Sequence, residues 1–233
     1  MKCERIPLGA QGAYLDTYFL ADSPELKAGA CRPAVVVCPG GGYAYTSDRE
    51  AEPIALALCA RGFHACVLRY PCAPARFPAA LRALAEAVAW VRAGAAENHV
   101  DPRQISVCGF SAGGHLAGSL GVFWNAPFLA AETGLAPQDM RPDKMVLCYP
   151  VITGGEFAHK GSFDNLLGAD ADAARRAEVS LEQHVTQDTP PAFLWHTYTD
   201  PGVPVENTML FAMALRRAGV PFESHIYSVG GHG

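Results

Sequence analysis

Apolar residues along the chain follow two patterns, and these two patterns alternate. Residues 34–38, Ala-Val-Val-Val-Cys, form a continuous apolar run, which is typical of a strand covered on both faces. Leu81, Leu84 and Val88 recur at steps of three and four, which predicts an amphipathic helix over 79–93. By the same criteria we predict strands at 13–20, 63–68, 105–108, 144–149, 193–196 and 222–227 and further helices at 52–61, 112–121 and 205–218.

The alternation of strands and helices predicts an α/β fold with a mostly parallel central sheet and helices on both faces. The early strand, 13–20, is expected to be antiparallel. Residues 151–190 have no strong strand pattern and are rich in alanine and charge, so we expect a helical excursion that covers the functional site. No repeat or linker interrupts the chain, which predicts a single domain over residues 1–233.

The start of the helix at 52–61 has two interpretations. Pro53 is tolerated in the first turn of a helix, which favours a start near Glu52. Ser47 and Glu50 have the spacing of a capping box, which favours an earlier start.

The composition excludes several kinds of function. The chain has 233 residues, 50% of them apolar, enough for one well-buried core. The net charge is −5 and there is no basic run, so we expect no nucleic-acid partner. There is no signal-peptide core and no apolar run of about 18 residues, so we expect a soluble, cytoplasmic protein without a membrane partner.

The eight cysteines have neither the spacing of a metal site nor that of a disulfide framework. Cys38, Cys66 and others fall in or beside predicted buried strands, where a free thiol packs as a small apolar group. We therefore expect reduced thiols and no metal held by the cysteines, with Cys72 as the most plausible exposed cysteine. We also expect no cofactor.

The pentapeptide Gly109-Phe110-Ser111-Ala112-Gly113 has the form G-x-S-x-G. A predicted strand precedes it and a predicted helix follows at once, which is the context of a nucleophile elbow. The glycines leave room for the strand and the helix to approach each other. We therefore predict Ser111 as a catalytic nucleophile.

A serine nucleophile needs a base, and in this kind of elbow the chain order is serine, then acid, then histidine. His232 follows the last predicted strand after a short glycine turn and is the predicted base. His159, His184 and His225 lie in the excursion or within a strand, and His115 points away from the elbow. We interpret these four as structural.

Asp200 is the predicted acid, because it directly follows the strand at 193–196 and prolines stiffen its loop. The alternative interpretation is an ordinary turn-forming aspartate ahead of a proline. Asp188 is the fallback acid.

The oxyanion of an acyl-transfer intermediate needs two N–H donors. We predict Ala112, the residue after the nucleophile, together with Gly41 or Gly42 from the glycine-rich loop. Neither G-x-G-x-x-G nor a Walker lysine is present, which argues against a nucleotide site.

Taken together, these motifs resemble the acetylxylan-esterase-like α/β hydrolases, small bacterial carbohydrate esterases often labelled as xylanases. The resemblance spans nearly the whole chain. It rests on 38–43 (CPGGGY), 47–55 (SDREAEPIA), 68–70 (LRY), 109–115 (GFSAGGH), 180–182 (SLE), 193–197 (FLWHT), Asp200, 203–207 (VPVEN) and 230–232 (GGH). It implies a Ser111–Asp200–His232 triad, no metal, and hydrolysis of small esters, with acetyl groups on sugars as the leading substrate.

Two features depart from that group. Its members usually continue past the histidine with a terminal helix, so here we expect exposed sheet surface, self-association into a homo-oligomer, and a terminal carboxylate that competes with Asp200 for His232. Tyr198 and Thr199 stand where an acidic residue is common.

Residues 43–51 lie at the oxyanion edge, and we expect Tyr43, Ser47 or Arg49 to contact substrate hydroxyls. The alternative is that Arg49 and Glu50 pair with each other or with Arg69.

The sequence therefore predicts a serine esterase that removes small acyl groups, acetyl above all, from carbohydrates through an acyl-enzyme. Two alternatives stay open. One is a serine peptidase or dienelactone-type hydrolase on the same scaffold. The other is a hydrolase-like binding protein whose site has decayed.

Overall fold

One mixed sheet organises the molecule. The computed structural model of the protein describes residues 1–10 and 12–233. The strands are β1 Lys2–Pro7, β2 Tyr14–Phe19, β3 Arg32–Cys38, β4 His64–Arg69, β5 Val100–Phe110, β6 Lys144–Cys148, β7 Ala192–Thr197 and β8 Phe222–Tyr227. Their order is β1-β2-β4-β3-β5-β6-β7-β8. Strand β2 is antiparallel to both its neighbours, and every pairing from β4 through β3 to β8 is parallel. The predicted fold class is confirmed.

Nine α-helices and two short 3-10 helices connect the strands of the described chain. The α-helices are α1 Pro24–Lys27, α2 Glu52–Cys59, α3 Ala79–Ala93, α4 Ala112–Phe123, α5 Pro127–Thr133, α6 Pro137–Met140, α7 Lys160–Leu167, α8 Ala173–Ala177 and α9 Glu206–Ala218. The 3-10 helices are Asp48–Glu50 and Leu181–Gln183. Helix α2 starts at Glu52, and Ser47 makes no side-chain cap, so the capping-box interpretation is wrong. None of the helices in the described residues is long and apolar enough to span a membrane.

Strand β3 shows why the apolar run is continuous. Val35 and Val37 pack on one face of the sheet with Ala55 of α2 and with Ala51, which directly precedes that helix. Val36 and its alternate neighbours pack on the other face with α3 and α4. Both sides of the strand are therefore buried, as the sequence predicts.

Strand β1 was not predicted, because five of its six residues are exposed and carry no apolar alternation. It pairs with β2 through backbone hydrogen bonds that the side-chain pattern does not report. The cysteine prediction is wrong in one respect, because Cys72 is half-buried whereas Cys3 and Cys31 are exposed.

Part of the sheet face on the α2 side is open. An apolar groove of about 560 Å³ lies there, lined in part by Val35, Leu58, Phe193 and Phe222. The predicted self-association of this surface stays a prediction.

Strand β5 meets α4 at a turn that only glycine permits on either side of Ser111. A Cβ atom on Gly109 would lie 2.0 Å from the carbonyl oxygen of Gly113. A Cβ atom on Gly113 would lie 2.1 Å from the carbonyl oxygen of Cys38 in β3. Ser111 itself has φ 54°, which side chains rarely adopt.

We expect Gly113→Ala to lower the free energy of unfolding by about 2–3 kcal/mol, because the new methyl group collides with β3 backbone. Gly161→Ala in α7 is the matched control, since its Cβ atom would meet His159 Cε1 at an ordinary 3.7 Å. That control should be neutral or stabilising by up to about 1 kcal/mol. Urea unfolding of both variants measures the difference, and equal stabilities would contradict the close-approach argument.

Candidate active site

The carboxyl ends of the parallel strands bring together residues that are distant in sequence. Ser111 follows β5, Asp200 follows β7, and His232 follows β8. Ligand sites of α/β folds form at this edge, because parallel strands all end there. The structure therefore brings the three predicted triad residues to one place.

A chain of two hydrogen bonds joins these residues. His232 Nδ1 lies 2.7 Å from Asp200 Oδ2, and His232 Nε2 lies 2.8 Å from Ser111 Oγ. An ionised carboxylate only accepts hydrogen bonds, so Nδ1 carries the proton. Nε2 then accepts from the serine hydroxyl, which is the arrangement in which an imidazole can remove the serine proton.

The carboxylate of Asp200 is fully buried and fixed from both sides. Its Oδ1 accepts from the backbone N–H groups of Gly202 and Val203, at 2.8 and 3.0 Å. Its Oδ2 also lies 3.2 Å from Nε2 of the buried His196. Burial on its own raises the pKa of Asp200, but the hydrogen bonds from His232, Val203 and Gly202 outweigh it and hold the pKa below its ordinary value.

Asp188, the fallback acid, precedes β7 rather than following it. It is exposed and lies at the opposite edge of the sheet from Ser111. The geometry therefore favours Asp200.

The loop that carries His232 is anchored by threonines near the end of β7. Thr197 Oγ1 donates to the carbonyl of Gly230, and Thr199 Oγ1 both donates to that carbonyl and accepts from the Gly230 N–H. Thr199, at the position where an acidic residue is common, thus has its own structural role. The expected competition of the terminal carboxylate is not observed, since His232 Nδ1 bonds to Asp200.

The glycine-rich loop after β3 presents free donors beside Ser111. Gly41 has φ 127° and Gly42 has φ 63°. Among the described residues, nothing accepts a hydrogen bond from the N–H groups of Gly41, Gly42 or Ala112. These are the three groups that the sequence predicts for the oxyanion.

Glu50 also belongs to this site, although the sequence pattern does not indicate it. Its Oε2 accepts from the Gly40 N–H at 2.7 Å, and its Oε1 accepts from the Tyr149 hydroxyl at 2.8 Å. The residue is 8% exposed. Glu50 therefore ties the glycine-rich loop to the end of β6, and its S-x-x-E spacing gave only the misleading capping-box signal.

A cavity of about 260 Å³ opens in front of Ser111. It is lined by Gly41, Gly42, Tyr45, Ser47, Arg49, Glu50, Ser111, His159 and His232. Ser47 and Arg49 of the predicted substrate contacts are thus in the cavity wall. Tyr43 is not, which corrects the prediction: its ring is buried in the core and its hydroxyl lies 2.8 Å from His115 Nδ1.

The alternative that Arg49 and Glu50 pair with each other or with Arg69 is also contradicted. Arg69 pairs with Asp48 at 2.7 Å, and the Glu50 carboxylate is taken by Gly40 and Tyr149. Among the described residues no acidic group forms an ion pair with Arg49.

The remaining histidines separate into two groups. His115 is buried between Tyr43 and the carbonyl of Val179, and burial lowers its pKa to about 4, so its predicted structural role fits. His159 was interpreted in the same way, but it lines the cavity with Ser111 and His232. In the described residues no cluster of three or more histidine, cysteine or acidic side chains is arranged to hold a metal ion.

The sheet order, the elbow and the histidine after the last strand define an α/β hydrolase. A model of the BD-FAE family matches residues 21–215, and the chain belongs to that family. The predicted resemblance is thereby confirmed.

Named relatives fit this membership. The chain is 37% identical over 211 residues to endo-1,4-beta-xylanase B of Butyrivibrio fibrisolvens, covering 87% of this chain and 32% of that protein. It is 30% identical to the acetylxylan esterase of Xylanibacter ruminicola, covering 92% of this chain and 42% of the relative. The chain thus spans less than half the length of these two relatives.

A solved structure gives the same result. The acetyl ester-xyloside bifunctional hydrolase from Caldicellulosiruptor lactoaceticus superposes with a TM-score of 0.87 at 39% identity. The match covers 99% of this chain and 87% of that chain.

Glu50→Ala should destabilise the protein by about 2–4 kcal/mol, because it leaves the Gly40 N–H and the Tyr149 hydroxyl without their acceptor. Glu50→Gln is the matched control, since its amide oxygen still accepts from Gly40. Urea unfolding should place Glu50→Gln well above Glu50→Ala. Two equally stable variants would show that the carboxylate does not hold the loop.

The lowered pKa of Asp200 predicts that the stability of the folded protein depends on pH. Because its pKa is lower in the folded state, its stabilisation is complete above the ordinary carboxyl pKa and is lost as the pH falls through the folded value. From about pH 4 downward, wild-type stability should therefore fall more steeply than that of Asp200→Asn. Urea unfolding across this range measures both slopes, and parallel slopes would contradict the assignment.

Proposed function

We propose that the protein is a serine esterase that removes small acyl groups, acetyl above all, from carbohydrates. The proposal rests on the two hydrogen bonds that join Ser111, His232 and Asp200. Ser111 faces the cavity, beside the N–H groups of Gly41, Gly42 and Ala112, which have no acceptor among the described residues. Serine, imidazole and buried carboxylate in this order are the parts that nucleophilic acyl transfer requires.

Acylation uses His232 as a base. Its Nε2 takes the proton of Ser111 while Oγ attacks the acyl carbon, and the carbonyl oxygen becomes an oxyanion. The N–H group of Ala112 and that of Gly41 or Gly42 stabilise this charge. Asp200 stabilises the imidazolium, which then gives its proton to the alcohol oxygen as the ester bond breaks.

Deacylation follows the same two proton transfers, with water in place of the Ser111 hydroxyl as the nucleophile. His232 removes a proton from the water molecule, the resulting hydroxide attacks the acyl carbon, and the same donors hold the second oxyanion. The proton returns to Ser111 Oγ as the carboxylic acid leaves. Atoms and charges balance without a cofactor.

Two observations support the substrate class. The relatives whose names mention acetylxylan and an acetyl ester match the chain over most of its length. The cavity, at about 260 Å³, is small for a site of this kind, which favours a short acyl group. Ser47 and Arg49, in the cavity wall, are the proposed contacts to substrate hydroxyls.

We expect the wild-type protein to release acetate from acetylated xylo-oligosaccharides and to hydrolyse 4-nitrophenyl acetate faster than the butyrate. Ser111→Ala should lower kcat by at least about 10³-fold, because it removes the nucleophile, while its urea unfolding stays near wild type. Full activity of a folded Ser111→Ala protein would overturn the mechanism.

The other outcomes identify the alternatives. Turnover of the nitrophenyl esters without any sugar ester would leave the serine mechanism and reject the carbohydrate substrate. Turnover of aminoacyl anilides would indicate a peptidase. A folded protein whose Ser111 reacts with no fluorophosphonate probe would indicate a binding protein.

A further inference from the structure

His159 stands at the N-terminus of α7, inside the segment 151–190 that the sequence predicts as an excursion. It lines the cavity together with Ser111 and His232. The same segment is fastened to the glycine-rich loop, because the Asn165 side-chain amide donates to the carbonyl of Gly42 at 2.9 Å. The position of His159 relative to the nucleophile is therefore set by the fold.

The hydrogen bonds of the ring define where its proton lies. Nδ1 is 2.8 Å from Ser162 Oγ and accepts from the Ser162 backbone N–H at 3.3 Å. Because Nδ1 faces a backbone donor, it must be the unprotonated nitrogen. In the neutral ring the proton is then on Nε2, and among the described residues nothing accepts a hydrogen bond from it.

The surroundings of His159 favour its neutral form. Burial is the main cause that lowers the pKa of His159, and the neighbouring imidazole of His232 lowers it further, against a smaller opposing effect of Asp200. The cavity wall thus contains an uncharged N–H donor that no residue of the described chain accepts from. Such a donor can bond to an uncharged oxygen, such as a hydroxyl.

The location beside His232 indicates which half of the ester this donor meets. During acylation the alcohol oxygen must lie within reach of His232 Nε2, because it receives the proton from that atom. The oxyanion lies instead against Ala112 and the glycine-rich loop. His159 shares the cavity with His232, and the N–H groups of Ala112 and the glycine-rich loop already serve the oxyanion, so we assign the His159 donor to the alcohol side.

We propose that His159 Nε2–H donates a hydrogen bond to the sugar hydroxyl next to the scissile ester, and thereby selects acylated sugars over simple esters. This proposal rests on the proposed function and adds a specificity-determining residue to it. The ligand class is an acylated sugar with a free hydroxyl adjacent to the acylated one.

Two substitutions separate this role from the structural one. His159→Asn keeps a good helix N-cap that accepts from the Ser162 N–H, but it is too short to present the Nε2 donor. His159→Gln places an amide N–H near the position of Nε2. Wild type and both variants are assayed on a monoacetylated xyloside and on 4-nitrophenyl acetate, which has no sugar.

We expect His159→Asn to lower kcat/KM by about five- to tenfold for the xyloside and to leave 4-nitrophenyl acetate nearly unchanged. His159→Gln should recover part of the loss. Equal losses on both substrates would assign His159 to the oxyanion or to structure and would overturn the proposal. No loss on either substrate would overturn it as well.

A substrate analogue completes the test. Replacing the neighbouring hydroxyl by hydrogen should lower wild-type kcat/KM by a similar factor and should have little further effect on His159→Asn. Independent losses in the two proteins would mean that donor and hydroxyl do not meet. If the wild-type protein hydrolyses 4-nitrophenyl acetate but no acetylated sugar, the proposed function itself fails, and this result differs from every outcome above.

Discussion

The close approach of strand, helix and neighbouring strand around Ser111 is the constraint on which the rest of the site depends. Ser111 has a backbone conformation that costs about 1–3 kcal/mol, and it persists only because its surroundings hold it. Its N–H bonds to the carbonyl of Cys148, and its carbonyl accepts from Val151, so the end of β6 fixes both sides of the residue. Gly109 and Gly113 allow this approach, because any side chain there would overlap backbone atoms.

The same edge of the sheet then has to hold two buried carboxylates, for which the described residues provide no lysine or arginine partner. Asp200 is stabilised by two backbone N–H groups and His232, and Glu50 by the Gly40 N–H and the Tyr149 hydroxyl. Such donors replace the water that burial removes. Each carboxylate also positions a part of the site, since Asp200 orients His232 and Glu50 fixes the loop whose next two N–H groups stay free.

The sequence predicts the central strands well, because a strand covered on both faces is apolar along almost its whole length. Helix α3 and strand β8 have the predicted bounds, whereas β1 escapes because its pairing uses only the backbone. The place of Tyr43 directly after the glycines predicts a substrate contact, but chain position does not fix the direction of a side chain at φ 58°. Glu50 was missed because its hydroxyl partner, Tyr149, is 99 residues away in the chain.

The histidines illustrate most directly what the sequence leaves open. His232 faces an acceptor, Asp200, through Nδ1 and therefore offers a basic Nε2 to Ser111. His159 faces donors of Ser162 through Nδ1 and therefore offers an acidic Nε2–H to the same cavity. The two rings have opposite chemistry because their neighbours bond to Nδ1 in opposite senses. Chain order identifies a histidine such as His232 as a base, because it follows the last strand. The donor role of His159 depends instead on Ser162, which bonds to its other ring nitrogen only in the folded chain.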